Sequence, residues 1–191
     1  MTAPRQEAAD DAVLTRIGQA VMLHQGGDRE EARNRLVRLW QEIGADGDPY
    51  HRCTLAHYMA DTQDDPAAAL MWDLIALAAA DAAAAAGGAG GGSREAVRGF
   101  YPALHLDLAD DYLRLDRPEA ARDQLSRARA AAGVLGADPY GDRMRAAITR
   151  LGARLDAAGG AGPRDAGRPG TGGPDGGADP YGDEHLPGGG G

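Results

Sequence analysis

The sequence predicts an all-α fold, and three observations carry that expectation. Forty of the 191 residues are alanine and 18 are leucine, against 5 Val, 4 Ile and 1 Phe. Alanine, leucine and arginine lose little side-chain entropy in a helix, whereas the β-branched and aromatic residues that suit a pleated sheet are scarce. A β-sandwich, a barrel and a parallel-sheet enzyme are therefore not expected. The third observation is a set of helix starts. Asp48-Pro49, Asp65-Pro66 and Asp138-Pro139 each put a capping carboxylate just before a proline, which is tolerated at the first helical position because its missing N–H had no partner there.

Apolar spacing between such signals gives seven helices. The first, residues 8–25, runs into the turn Gly26-Gly27. The second, 28–44, opens on Asp28 with Glu31 three residues later, a pair resembling a capping box. The third, 49–62, and the fourth, 65–86, open on their Asp-Pro steps, and the fourth ends in GGAGGGS at 87–93, which reads as a flexible internal loop. The fifth and sixth span 94–115 and 117–132, and the seventh, 139–157, opens on Asp138-Pro139. Short connections imply antiparallel hairpins. From residue 159 onward, 14 of 33 residues are Gly and 5 are Pro. Such a segment buries too little apolar surface to offset its ordering entropy, so 1–158 is expected to be the folded domain and 159–191 a disordered tail. Deletion after Ala158 is expected to leave the thermal midpoint unchanged.

Three hairpins share a pattern. In the one framed from Pro102, LHLDLADDYLRLDRPEAARDQLSRA supplies Leu108, Ala109 and Tyr112 in the first helix and Ala121, Leu125 and Ala128 in the second. The frame on Val13 gives Ala20, Leu23, Ala32, Leu36 and Leu39; the frame on Pro49 gives Leu55, Ala56, Met59, Ala68, Trp72 and Ile75. This alternation of small residues with large apolar ones resembles the tetratricopeptide repeat family. The starts are 36 and 53 residues apart, and the terminal proline of the family unit is missing. The resemblance implies hairpins stacked as a short right-handed solenoid, with the seventh helix as the capping helix such an array needs. It also implies a concave groove lined by the first helix of each repeat. The matching groove positions are His24 and Gln25 in the first repeat, Tyr50, Cys53, His57 and Asp61 in the second, and Leu106, Asp110 and Arg114 in the third. In the same frame His105 falls at an interhelix packing position.

The chemistry of single residues is sparse. All 20 basic residues are arginine and the acids number 29, for a net charge of −9. Neither nucleic acid nor an anionic membrane surface is an expected partner. Cys53 is the only cysteine, which excludes an internal disulfide and a multi-thiolate zinc site. Cys53, His57 and Asp61 stand four residues apart and form one helical stripe of metal-ligand or nucleophile type, which reads first as the more polar face of its helix. His24 and His51 are isolated. Asp110 and Asp111 are adjacent and so point apart, making no acid/base pair. Asp61, Asp64 and Asp65 crowd a helix end, where capping accounts for Asp65. The glycine run lacks the GK[ST] of a phosphate loop. The hexapeptide ADPYGD occurs at residues 137–142 and again at 178–183, where low-complexity drift is the simpler account.

These readings converge on a non-enzymatic scaffold that binds a peptide or protein segment in its groove, with no metal or cofactor. Alternatives are a regulatory subunit of a signalling or transcription system and a metal- or thiol-dependent enzyme centred on Cys53 and His57. The N-terminus has no apolar run of the signal-peptide kind, and the expected address is the cytoplasm.

Overall fold

The structure, a computed structural model, describes residues 3–86 and 91–160, with side chains over 12–86 and 96–158. Among the described residues there are seven α-helices and no strand: α1 Ala3–Gln25, α2 Arg29–Ile43, α3 Pro49–Asp61, α4 Pro66–Ala85, α5 Gly91–Arg114, α6 Pro118–Ala131 and α7 Pro139–Gly160, with a 3-10 turn at Ala132–Val134. The expected all-α class is observed. The starts form as their side chains dictate. Asp48 accepts from the backbone N–H of Tyr50 and His51, Asp65 from that of Ala67, Asp28 from that of Glu31 and Asp138 from that of Gly141.

Three expectations are corrected. α1 begins at Ala3 rather than residue 8, because Pro4 falls in its first turn, where a proline fits. α5 begins at Gly91, inside the expected loop 87–93, and α7 reaches Gly160. A first turn has unpaired N–H groups in any case, so glycines there forfeit little hydrogen bonding. Residues 1–2, 87–90 and 161–191, with all but the first two residues of the expected tail and with the second ADPYGD copy, lie outside the described residues. The third correction concerns register. The buried residues of α4 include Ala69, Asp73 and Ala76, one step beyond the expected Ala68, Trp72 and Ile75, which are half-buried.

With that register the three hairpins share a pattern of buried small residues, although the second is one residue longer between them. The buried small residues Ala20 and Ala32 of the first hairpin answer to Ala56 and Ala69 of the second and to Ala109 and Ala121 of the third. The turns of the first and third hairpins match as well. The N–H of Asp28 bonds the carbonyl of Leu23 and that of Gly27 the carbonyl of His24, while Arg117 bonds Tyr112 and Asp116 bonds Leu113 in the same pattern. Both turns need a left-handed residue, supplied by Gly27 at φ 92° and by Asp116 at φ 56°.

Each helix packs on its neighbours in the chain, and α1 also touches α3, α3 touches α5, and α5 touches α7. The core divides accordingly. Ile17, Leu36, Leu39 and Leu55 form one cluster, Cys53, Ala76, Ala80, Val97 and Leu104 a second, and Leu125, Ile148, Leu151 and Leu155 a third. Trp40 of α2 meets Trp72 of α4 edge to face at 5.2 Å, with the Arg52 guanidinium 4.2 Å above the Trp40 ring. α4, with a mean hydropathy of 1.5, is long and apolar enough by composition to cross a bilayer. In this fold it packs between α3 and α5 and carries Asp73 on its buried face.

Candidate functional site

α5 touches both α3 and α7, and three adjoining depressions lie along it, one shared with α3 and α7, one with α7, and one with α3, α4 and Arg29 of α2. The largest, about 610 Å³, is bounded by the rings of Tyr50, Tyr58, Phe100 and Tyr140, by Met144, and by His57, Asp61 and Asp107. Its aromatic wall is built edge to face, with Phe100 5.9 Å from the Tyr50 ring and 6.1 Å from the His57 imidazole. Beside it lies a pocket of about 310 Å³ lined by Asp61, Asp64, Asp73, Asp107, Asp110 and Asp111, with Arg29 and Arg114 as its only cations among the described residues. A third depression, about 320 Å³, runs between α5 and α7 over Leu106, Asp107, Asp110, Arg150 and Arg154. Asp107 borders all three and so marks the centre of the surface.

The acidic pocket is only partly neutralised. Asp64 pairs with Arg29 and, at 3.2 Å, with Arg33; Asp110 pairs with Arg154 at 2.5 Å; and Asp111 meets Arg114 at 3.5 Å. Asp73 has no cation. It is 3% exposed, and its Oδ1 has no hydrogen-bond partner; the same is true of Asp111 Oδ2, on a residue 5% exposed. His57 Nδ1 is also without a hydrogen bond, although Asp107 Oδ2 stands 3.4 Å from it. His57, Asp73 and Asp107 each bring one ligand-type atom to within 4.8 Å of the other two.

These surroundings shift the charges. Burial, and then the neighbouring carboxylates of Asp107 and Asp111, hold the Asp73 carboxyl well above the ordinary carboxylate range. Burial beside Asp61, Asp111 and Asp110 raises Asp107, and burial also raises Asp111. Burial lowers His57, against the opposing pull of Asp61, so that the imidazole is neutral with a free lone pair near pH 7.

Of the nine expected groove residues, six fall on this surface: Tyr50, His57, Asp61, Leu106, Asp110 and Arg114. Cys53 does not. It is fully buried in the core between α3, α4 and α5, and burial, followed by the charge of Asp81, pushes its thiol up to about 12. A nucleophilic or ligating thiolate at that position is disfavoured by desolvation, which corrects its placement in the groove. His24, half-buried on α1, and the exposed Gln25 line none of these depressions. Asp110 and Asp111 point apart as their adjacency requires, one to Arg154 and the other toward Asp73. His105 is buried, with Nδ1 2.8 Å from Gln124 Oε1.

Sequence reasoning missed Asp73, Asp107 and Asp111, and with them Tyr58, Phe100, Tyr140 and Met144. A signal for Asp73 existed. Four residues after the buried alanine of its helix it stands where Leu36 follows Ala32 and Leu125 follows Ala121, a core leucine replaced by a carboxylate. Comparison of the chain with family models, with curated proteins and with solved structures gave no match.

Proposed function

We propose that this chain is a helical-repeat scaffold of tetratricopeptide-like design that binds a peptide or protein segment along the face of α3, α5 and α7. The recurrence of buried alanines in all three hairpins, and of the same helix-ending turn in the first and third, supports the repeat reading. The observation that carries the binding reading is the pairing, on one surface, of an aromatic depression with an acidic one. A groove of this kind reads a segment through a few anchors. Aromatic walls accept an apolar side chain, and unneutralised carboxylates accept a cationic one, so the expected ligand carries an apolar residue and an Arg or Lys close together. Tyr140, 46% exposed at the groove mouth, and Tyr50, half-buried opposite Phe100, are the two rings that can be truncated with the least damage to the core.

An array of immobilised peptides in which basic and apolar positions are varied tests this reading. Binding is expected only for members that combine both features, and the double variant Tyr50→Ala, Tyr140→Ala is expected to lose it while keeping its helical circular dichroism. Equal binding by the double variant would remove the groove from consideration.

A further inference from the structure

We propose that His57, Asp73 and Asp107 form a binding site for one divalent transition-metal cation of the Zn²⁺ or Mn²⁺ class, with Asp61 and Asp111 as flanking carboxylates. The site takes His57 from the aromatic depression, Asp73 from the acidic pocket and Asp107 from both, and it is tested with the metal alone, so its failure and that of the peptide reading are distinguishable.

Four observations converge on it. Position comes first: Asp73 stands where the other two hairpins place the buried leucines Leu36 and Leu125. Nothing in the helical pattern calls for a carboxylate at that point, and an unpaired charge is among the costliest groups to bury. Then there is valence. Asp73 Oδ1, Asp111 Oδ2 and His57 Nδ1 are all shielded from water and find no donor among the described residues, and Asp73 and Asp111 face each other, which two carboxyl groups do only with a proton or a cation between them. Such groups in a folded protein are explained by a partner that is a proton, a water or an ion.

Geometry adds a third argument. At bond lengths of about 2.1 Å, two tetrahedral ligands sit roughly 3.4 Å apart and two opposed ones roughly 4.2 Å. His57 Nδ1 and Asp107 Oδ2 already stand 3.4 Å apart, and the three ligand-type atoms lie within 4.8 Å of one another, so the widest pair closes on a tetrahedral cation by moving together by no more than about 1.4 Å. The fourth is charge. Of the six aspartates that line the pocket, Asp64, Asp110 and Asp111 each face an arginine, whereas Asp61, Asp73 and Asp107 face none among the described residues. A dication would supply the cation that these three lack.

The donor set selects the kind of ion. One neutral imidazole with carboxylates suits Zn²⁺, Mn²⁺ or Fe²⁺, whereas Mg²⁺ and Ca²⁺ prefer oxygen donors alone. Because His57 belongs to α3, Asp73 to α4 and Asp107 to α5, the ion would join the second hairpin to the third at the junction they already share.

The test uses the full chain, free of any histidine tag and stripped with a chelator, titrated calorimetrically with Zn²⁺, Mn²⁺ and Mg²⁺ near neutral pH. One equivalent of Zn²⁺ or Mn²⁺ is expected to bind, with no heat from Mg²⁺. Asp73→Asn, nearly isosteric and therefore folded, and Asp107→Asn are each expected to weaken binding more than about tenfold. As a second readout, excess Zn²⁺ is expected to raise the melting temperature of the parent chain and to leave that of Asp73→Asn unmoved. Two results overturn the proposal. One is the absence of stoichiometric binding, which would assign the space to a proton shared by Asp73 and Asp111. The other is binding of equal strength in Asp73→Asn, which would place the ion on surface histidines and carboxylates.

Discussion

Asp73 sits in the core of the second hairpin at a position its neighbours fill with leucine, and its carboxylate has no cation of its own. In the metal-free protein that arrangement is costly, because a buried polar group left unpaired costs about 1–3 kcal/mol. Asp73→Asn keeps the shape and removes the cost of holding this carboxyl protonated in the fold while the unfolded chain ionises, so it is expected to raise the melting temperature of the metal-free chain by roughly 2–8 °C. The sign of the pH dependence follows from the raised carboxyl. A group whose folded pKa lies above its unfolded one stabilises the fold at low pH and loses that contribution as pH rises through the folded value. The advantage of Asn over Asp should therefore be small at about pH 5 and larger at about pH 8, as read by thermal melts at the two values. A fall in melting temperature on substitution would show that Asp73 is structurally satisfied. Cys53 gives a second residue-scale expectation. Its thiol is fully buried and held protonated, so a disulfide reagent should leave it untouched in the native protein and label it quickly in denaturant. Rapid labelling of the folded chain would contradict the packing of α3 against α4 and α5. Neither fact was legible beforehand. Cys53, His57 and Asp61 share a stripe by spacing, but spacing fixes only angles around one helix. Which angle meets the core is set by α4 and α5, and the partners of His57 come from those helices rather than from its own.

At the level of single elements the sequence was far more informative, because helix starts and stops are local chemistry. The carboxylates of Asp28, Asp48, Asp65 and Asp138 each found the backbone N–H that their position implies. The α1–α2 and α5–α6 turns have the same hydrogen bonds and left-handed residue, yet one uses glycine and the other aspartate. Substitutions at the two turns should therefore have opposite signs. Gly27→Ala forces a β-carbon into φ 92° and is expected to cost about 1–2 kcal/mol, whereas Asp116→Gly relieves φ 56° and is expected to be neutral or stabilising by up to about 1 kcal/mol. Denaturant midpoints of the two variants check both signs. What was not legible was the register of α4. Trp72 and Ile75 are the large apolar residues a reader looks for, but they pack at the flank of the core while Ala69, Asp73 and Ala76 face its centre. A pattern that places bulk at the centre fails where the centre is occupied by a carboxylate.

Over the whole molecule, the core is divided into clusters that follow one another along the chain, and α7 covers the last of them with Ile148, Leu151 and Leu155. Arrays of this kind are held by nearest-neighbour interfaces, so damage at one end should fade with distance. Leu151→Ala, which leaves a cavity against Leu125 and its neighbours, is expected to cost roughly 2–4 kcal/mol and to speed amide hydrogen exchange in α6 and α7 while leaving α1 and α2 near their original protection. Uniform acceleration in all seven helices would instead mean that the clusters unfold as one unit. The chain contains two tryptophans, Trp40 and Trp72, and the structure places both at the junction of the first two hairpins, ring against ring. Tryptophan emission, excited where tyrosine does not absorb, is thus a reporter of that junction alone, blind to α6 and α7, whereas far-ultraviolet circular dichroism sums every helix. The optical properties of the chain carry its own test of cooperativity: a single unfolding event must give superimposable emission and ellipticity curves, and a segmented one must pull them apart.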